Sequence, residues 1–236
     1  MDGIINLCKP RGISSFRALS LVKRRLKLKK VGHLGTLDPS ACGVLVLLCG
    51  SATKLTNQLH AATKIYRTLV VWGQETDTLD GEGKIVASSD VAPTTAEIAA
   101  VLSTMVGGIE IEVPKYSAVH IQGKRAYELA RQGVDFVPPT KTVNVVRFEM
   151  LDSAQCERDL TALGESFQLP ANANYFEIEC QAGTYIRSLA KVLATRLGTL
   201  ATAAVIIRTR VGDFTLNKAC RLDNVQLDDL QPMEEF

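Results

Sequence analysis

With 236 residues, 46% of them hydrophobic and 22% charged, the chain has the composition of an ordinary soluble globular protein, with apolar material for one sizeable core or two small ones. No stretch is apolar and charge-free enough to span a bilayer, and Met1-Asp2-Gly3 lacks the basic start and apolar middle of a signal peptide; a cytoplasmic protein away from membranes is expected. The formal net charge of +2 is too small to imply a nucleic-acid partner, although an average over the chain hides local patches.

Residues 4–7 are an initial apolar stretch, and Lys9-Pro10-Arg11-Gly12 is a turn by its Pro and Gly. Ser14 or Ser15 then caps a helix that places Phe16, Leu19, Val22 and Leu26 on one face. Arg17, Lys23, Arg24, Arg25, Lys27, Lys29 and Lys30 crowd this segment, either as a grip on a phosphate backbone or as a solvated helix face. A Gly-rich loop, residues 32–43, carries one carboxylate, Asp38, immediately before residues 44–49, an apolar run that reads as a buried strand. A helix near 52–60, a strand over 65–72 and a polar connection over 76–83 follow.

Thr94 and Glu97 have capping-box spacing ahead of a helix to about Met105, closed by Gly107-Gly108. Residues 114–139 set Lys115, Tyr116, Lys124, Arg125, Tyr127 and Arg131 around a short amphipathic helix. Such residues suit contacts to phosphates and unstacked bases, but they also occur on plain surface. Residues 143–151 and 175–181 alternate as strands, and the polar segment joining them reads as a mobile surface loop. Gly183-Thr184 opens a helix with Ile186, Leu189, Ala190, Leu193 and Leu197 inward and Gly198 as its stop; a strand over 204–211 and an acidic tail expected to fray complete the chain. With no internal repeat or linker, one α+β domain over 1–236 is expected.

The six cysteines, Cys8, Cys42, Cys49, Cys156, Cys180 and Cys220, have no zinc-ligand spacing and are expected to be reduced thiols. His33, His60 and His120 show no metal-ligand pattern, and the glycines near Asp38 form neither a Walker loop nor a dinucleotide fingerprint. An aspartate beside buried structure needs a cation, backbone donors or a task, although Asp38-Pro39 would also suit a simple turn. Arg187 falls in the first turn of a helix, where the dipole disfavours a cation, so an anionic partner such as Asp38 would explain it; a surface arginine with no fixed partner is the alternative. Lys64-Ile65-Tyr66-Arg67 sets a tyrosine in a strand beside basic residues. A cofactor-free site of one carboxylate, one tyrosine and one arginine is what remains.

Gly32-His33-Leu34-Gly35-Thr36-Leu37-Asp38-Pro39-x-Ala41-x-Gly43-Val44-Leu45 closely resembles the catalytic-loop motif of the TruB-type tRNA pseudouridine synthases. The likeness continues in family order through Lys9-Pro-x-Gly, Ala52-Thr53-Lys54, Lys64-x-Tyr66-Arg67, Thr76-Asp77-Thr78-x-Asp80, Pro114-x-Tyr116-Ser117-Ala118, Gly123-Lys124, Tyr127-Glu128-x-Ala130-Arg131 and Gly183-Thr184-Tyr185-Ile186-Arg187-Ser188-Leu189. The resemblance implies the pseudouridine-synthase fold: a central mixed, largely antiparallel sheet flanked by helices and loops, with 114–139 as an insertion that grips RNA. It implies conversion of the T-loop uridine of tRNA, position 55, to pseudouridine, with no metal or other cofactor, by a monomer whose partner is the T-arm.

Asp38 then matches the catalytic aspartate, which attacks the ribose or abstracts a sugar proton. Tyr66 matches the tyrosine stacked on the extruded uracil, and Arg187 the arginine paired with the aspartate. The implied substrate contacts are His33, near the flipped nucleotide, Ile206, an apolar wall, and Lys9, Lys64, Tyr185, Lys124 and Arg131. Leu34, Ile207, Val192 and Ala194 depart from the residues common in the family, and the chain is read as ending where many relatives add a small RNA-binding PUA domain. A synthase acting on another RNA and a tRNA-folding module are the competing readings.

Overall fold

The computed structural model describes residues 1–121, 123–165 and 167–232. Its elements in chain order are β1 (Gly3–Lys9), α1 (Ser15–Arg25), β2 (Val31–Leu34), β3 (Cys42–Cys49), α2 (Thr56–His60), β4 (Lys64–Trp72), β5 (Gln74–Thr76), β6 (Ile85–Ser88), α3 (Thr95–Leu102) and β7 (Gly107–Glu112). Then come β8 (His120–Ile121), β9 (Lys124–Arg125), α4 (Ala126–Arg131), β10 (Thr140–Leu151), α5 (Ser153–Leu163), β11 (Ala173–Cys180), α6 (Ile186–Arg196), β12 (Ala201–Val211), β13 (Phe214–Thr215) and β14 (Cys220–Arg221).

The residues fall into two compact units, one of residues 1–67, 179–183 and 206 onward, the other of 68–178 and 184–205. Three of the four boundaries cut β4, β11 and β12, and the fourth falls between Gly183 and Thr184.

In the first unit β3 is the central strand, and all eight of its residues are buried. It pairs antiparallel with β1, from Gly3 opposite Cys49 to Lys9 opposite Gly43. Its other edge takes β2 antiparallel at Val46–Cys49 and β12 parallel at Cys42 and Gly43. The two-residue period sends Leu45, Leu47 and Cys49 to one side, against Ile5, Leu7, Ala18, Leu19 and Val22. Val44, Val46 and Leu48 face the other, against Ile4, Leu34, Val211 and Phe214. Burying each such side chain contributes roughly 1.5–3 kcal/mol before entropy is charged. Gly43 has φ +102, and a Cβ there would stand 2.3 Å from the Arg208 carbonyl oxygen, so glycine alone lets β12 close on β3.

Helix α1 is capped by Ser14, whose hydroxyl accepts from the Arg17 N–H. Its buried residues are Ser15, Ala18, Leu19 and Val22. Phe16, assigned inward by spacing, is instead 73% exposed; Ala18 takes the core position because the inward stripe is turned by one residue. The acidic tail is not frayed as far as Gln231, which exchanges two 2.9 Å backbone bonds with Ile4. Its last four residues lie outside the described residues.

In the second unit the strand order is β12, β4, β11, β10, β7. Trp72 and Phe148 both meet the Phe176 ring edge to face, at 6.3 and 5.6 Å. The capping box of Thr94 and Glu97 forms. Two expectations fail here. The polar segment after β10 contains α5, capped by Asp152, stopped by left-handed Gly164 and buried through Cys156 and Leu160; a thin apolar stripe among charges suffices because one face only is covered. Gly107-Gly108 does not merely close a helix but starts β7, where Ile109 and Ile111 alternate inward. None of the six cysteines forms a disulfide. No helix among the described residues is long and apolar enough to cross a membrane.

Candidate active site

The Asp38 loop is held by the chain that precedes it. The Gly12 N–H donates to the Pro39 carbonyl at 2.8 Å, and Arg11 Nε donates to the Ser40 carbonyl at 3.1 Å. The Ser15 hydroxyl donates to the Leu37 carbonyl and accepts from the Leu37 N–H. The Ala41 N–H closes a turn on the Asp38 carbonyl at 3.1 Å. These bonds fix both sides of Asp38 and leave its side chain half-buried.

Lys9 does its work at one remove. It is fully buried, and its Nζ donates to the Pro10 and Ile13 carbonyls at 2.8 and 2.7 Å, pinning the turn that grips the loop. Lys64 is buried likewise on the His60 and Ala62 carbonyls. Burial, then repulsion from Arg208, lowers its pKa from the ordinary 10.5.

Tyr66, on β4, is 9% exposed. Burial pushes its phenol above the ordinary 10.0; Cys180 and the Asp38 carboxylate add to the rise, while Arg208 opposes it. The Asp38 charge therefore reaches Tyr66, and the phenol keeps its proton at neutral pH. His33, half-buried on β2, is held below 6.5 by burial and by Arg208, so its imidazole is neutral. Its Nδ1 is buried without a hydrogen-bond partner among the described residues. Ile206 is buried beside Cys42, whose thiol points to the Ile206 carbonyl at 3.8 Å.

Arg187, in the second unit, is 3% exposed and is not a surface arginine. Its Nη1 donates to the Thr78 carbonyl at 2.8 Å and its Nη2 to the Tyr116 carbonyl at 3.1 Å. Asp80 Oδ2 lies 4.0 Å from its Nε. Asp80 is itself fixed by the Thr78 hydroxyl at 2.6 Å and the Glu82 N–H at 3.1 Å. The polar connection read over 76–83 is thus a cradle for the arginine. Asp80 was not among the candidate residues, and its only sequence signal is the Thr76-Asp77-Thr78-x-Asp80 block.

Tyr185 precedes α6, and the Lys141 ammonium sits 4.5 Å from its ring centroid. Lys124 and Arg131 are exposed on the β8–β9 hairpin and α4. The Arg131 guanidinium lies 5.4 Å from the Tyr127 ring centroid. Arg17, Lys23, Arg24, Arg25, Lys27, Lys29 and Lys30 are all exposed in the first unit.

A second residue escaped the sequence reading. Arg208 is 1% exposed in β12, where its only signal is a charge inside a β-branched run. Its Nε donates to the Val44 carbonyl at 2.7 Å and its Nη2 to the Gly35 carbonyl at 3.0 Å.

The geometry agrees with what the chain is similar to. Residues 23–186 match the model of the family described as TruB family pseudouridylate synthase (N terminal domain). The tRNA pseudouridine synthase B of Geobacillus thermodenitrificans is 40% identical over 228 residues, 96% of this chain and 72% of that protein. That of Caulobacter vibrioides is 38% identical over 226 residues, 96% of this chain and 68% of its own length. A chain of the crystal structure of a Cbf5–Nop10–Gar1 complex superposes with TM-score 0.70 at 27% identity, covering 99% of this chain, which spans 60% of that one. This chain, with its α+β pseudouridine-synthase fold, belongs to the TruB family of pseudouridylate synthases.

Proposed function

We propose that the chain is a tRNA pseudouridine synthase, an isomerase that converts the T-loop uridine at position 55 of tRNA to pseudouridine. Its similarity to proteins named tRNA pseudouridine synthase B supports the substrate. The observation that carries the chemistry is the Asp38 loop, pinned on both sides of the carboxylate, with a protonated Tyr66 phenol that feels the Asp38 charge.

The reaction breaks the bond between ribose C1′ and uracil N1, turns the base, and joins C1′ to C5. The C5 proton leaves and N1 gains one, so the composition is unchanged. Asp38 acts on the ribose, by attack or by taking a sugar proton. A stacked base hides its glycosidic bond, so the uridine must first be extruded. The buried Tyr66 ring offers the uracil a stacking face, and its phenol offers a proton-exchanging group. Neutral His33 stands on the same unit as a contact for the extruded nucleotide, and Ile206 as an apolar wall. Arg187, the third residue of the trio that the resemblance implies, is buried within its own unit with its guanidinium fixed by the Thr78 and Tyr116 carbonyls, and its part in catalysis is tested by Arg187→Lys.

The basic segment around Lys23–Lys30 and residues 114–139 supply phosphate contacts, and recognition of the T-arm is largely by shape. The test is a mass-spectrometric map of pseudouridine in unmodified tRNA incubated with the protein. Pseudouridine at position 55, absent when that uridine is cytidine, supports the reading. Modification of another RNA only, or of none, refutes it.

A further inference from the structure

We infer that Arg208 is a positioning residue for the isomerisation, a buried fork that holds the start of the Asp38 loop and the Tyr66 ring in one fixed arrangement. The inference rests on the family reading for the roles of Asp38 and Tyr66; the placement of Arg208 does not.

Three contacts define it, all within the first unit. Nη2 donates to the carbonyl of Gly35, three residues before Asp38, and Nε donates to the carbonyl of Val44, six residues after it. One planar group therefore ties the two ends of the loop together. The guanidinium carbon lies 6.0 Å from the centroid of the Tyr66 ring, and its charge opposes the rise that burial imposes on the phenol. The backbone is committed as well: Arg208 pairs with Gly43 in the parallel β12–β3 ladder, with no room for a side chain on Gly43.

A charge so buried is costly to keep. A hydrophobic residue would continue the Ile206-Ile207 strand more cheaply, were shape alone required. What a hydrophobic residue could not do is donate to two carbonyls on opposite flanks of the loop and polarise the face behind Tyr66. The titratable groups around it are His33 on β2, Lys64 and Tyr66 on β4, and Cys180 on β11, which acts on Lys64 and Tyr66. Arg208 disfavours protonation of His33, so the nucleotide contact stays neutral.

The experiment compares wild type, Arg208→Lys and Arg208→Gln on the T-arm stem-loop, reading tRNA affinity, single-turnover rate, thermal melting, and the His33 imidazole titration by NMR. Arg208→Lys keeps the charge but loses the fork; Arg208→Gln loses both. The expected result is affinity within about twofold of wild type and a rate lower by roughly 100-fold in both, the scale of a misplacement of about 1 Å. Only Arg208→Gln should move the His33 titration upward. A wild-type rate in Arg208→Lys overturns the inference. So does a parallel fall in rate, affinity and melting temperature with an unmoved His33 titration, the pattern of a residue that only supports the fold.

If neither variant folds, Gly35→Ala keeps Arg208 and disturbs its bond to the Gly35 carbonyl by straining the backbone at φ +71, while the new methyl makes only ordinary contact, 3.5 Å, with Arg208 Nη1. Loss of rate with tRNA binding retained supports the inference; a folded variant at the wild-type rate overturns it. Should the wild type make no pseudouridine, the proposed function fails instead, and the His33 titration still tests the placement.

Discussion

The Ser15 hydroxyl donates to the Leu37 carbonyl at 2.9 Å and accepts from the Leu37 N–H at 2.8 Å, closing a two-bond ring between the first residue of α1 and the residue before Asp38. Both partners are buried. Ser15→Ala should leave two buried peptide groups without partners, at about 1–3 kcal/mol each. Melting temperature should fall, and the single-turnover rate should drop about tenfold as the carboxylate loses its fixed position, with tRNA affinity kept. A wild-type rate in the folded variant would show that this ring does not position Asp38.

Arg187 is set in its cradle by two carbonyls and by Asp80. A lysine there lacks the planar fork, so Arg187→Lys should lower stability by about 1–3 kcal/mol and the rate by roughly 100-fold. Asp80→Asn, which removes a charge but not the carbonyl contacts, should be milder in stability and should still slow turnover. Stopped-flow rates and thermal melts separate the two. Full activity in Arg187→Lys would exclude a geometry-dependent role.

The acid side of the pH profile belongs to His33. Its folded-state pKa is depressed below 6.5 by burial and then by Arg208, so the folded protein favours the neutral ring. The stability from this preference is complete above 6.5 and is lost as pH falls from 6.5 through the folded value. Activity should likewise hold level down through pH 6.5 and decline only below it. An NMR titration of His33 at or above 6.5 would contradict this account of its environment.

On the proposed reading, the exposed cations of α1 and the segment after it supply affinity rather than chemistry. Replacing Lys23, Arg24 and Lys27 together by Ala should weaken tRNA binding and reduce the salt slope by about one for each phosphate no longer neutralised. The single-turnover rate at saturating RNA should not change. A collapse of that rate with unaltered Kd would reverse the assignment.

Much of the fold is legible in the sequence where pattern and burial coincide. Residues 44–49 are apolar on both faces and form a strand buried on both; the Thr94–Glu97 box and Gly198 stop are local chemistry and appear as read. Helix α5 and strand β7 were hidden for the opposite reason. Each buries one narrow face, through Cys156 and Leu160 or through Ile109 and Ile111, among residues that look like loop. Asp38, Tyr66 and Arg187 stand out through their motif neighbours. The burial of Asp80, although it ends a motif block, and of Arg208 is not legible there, because burial of a charged side chain is set by tertiary packing: one lies in a polar turn that folds inward, the other in an apolar strand. No linker signals the two units, since three of their four boundaries fall inside strands.

The claim that Asp38 performs the chemistry is tested most directly by Asp38→Asn, with tRNA affinity and single-turnover pseudouridine formation measured on the same preparation. The side chain is nearly isosteric and the loop is held by backbone bonds to Arg11, Gly12 and Ser15, so the fold should persist. On the proposed reading, binding comes mainly from basic residues elsewhere. The predicted result is a wild-type Kd with no detectable pseudouridine at position 55. Appreciable pseudouridine from the variant would remove Asp38 from its role and contradict the account.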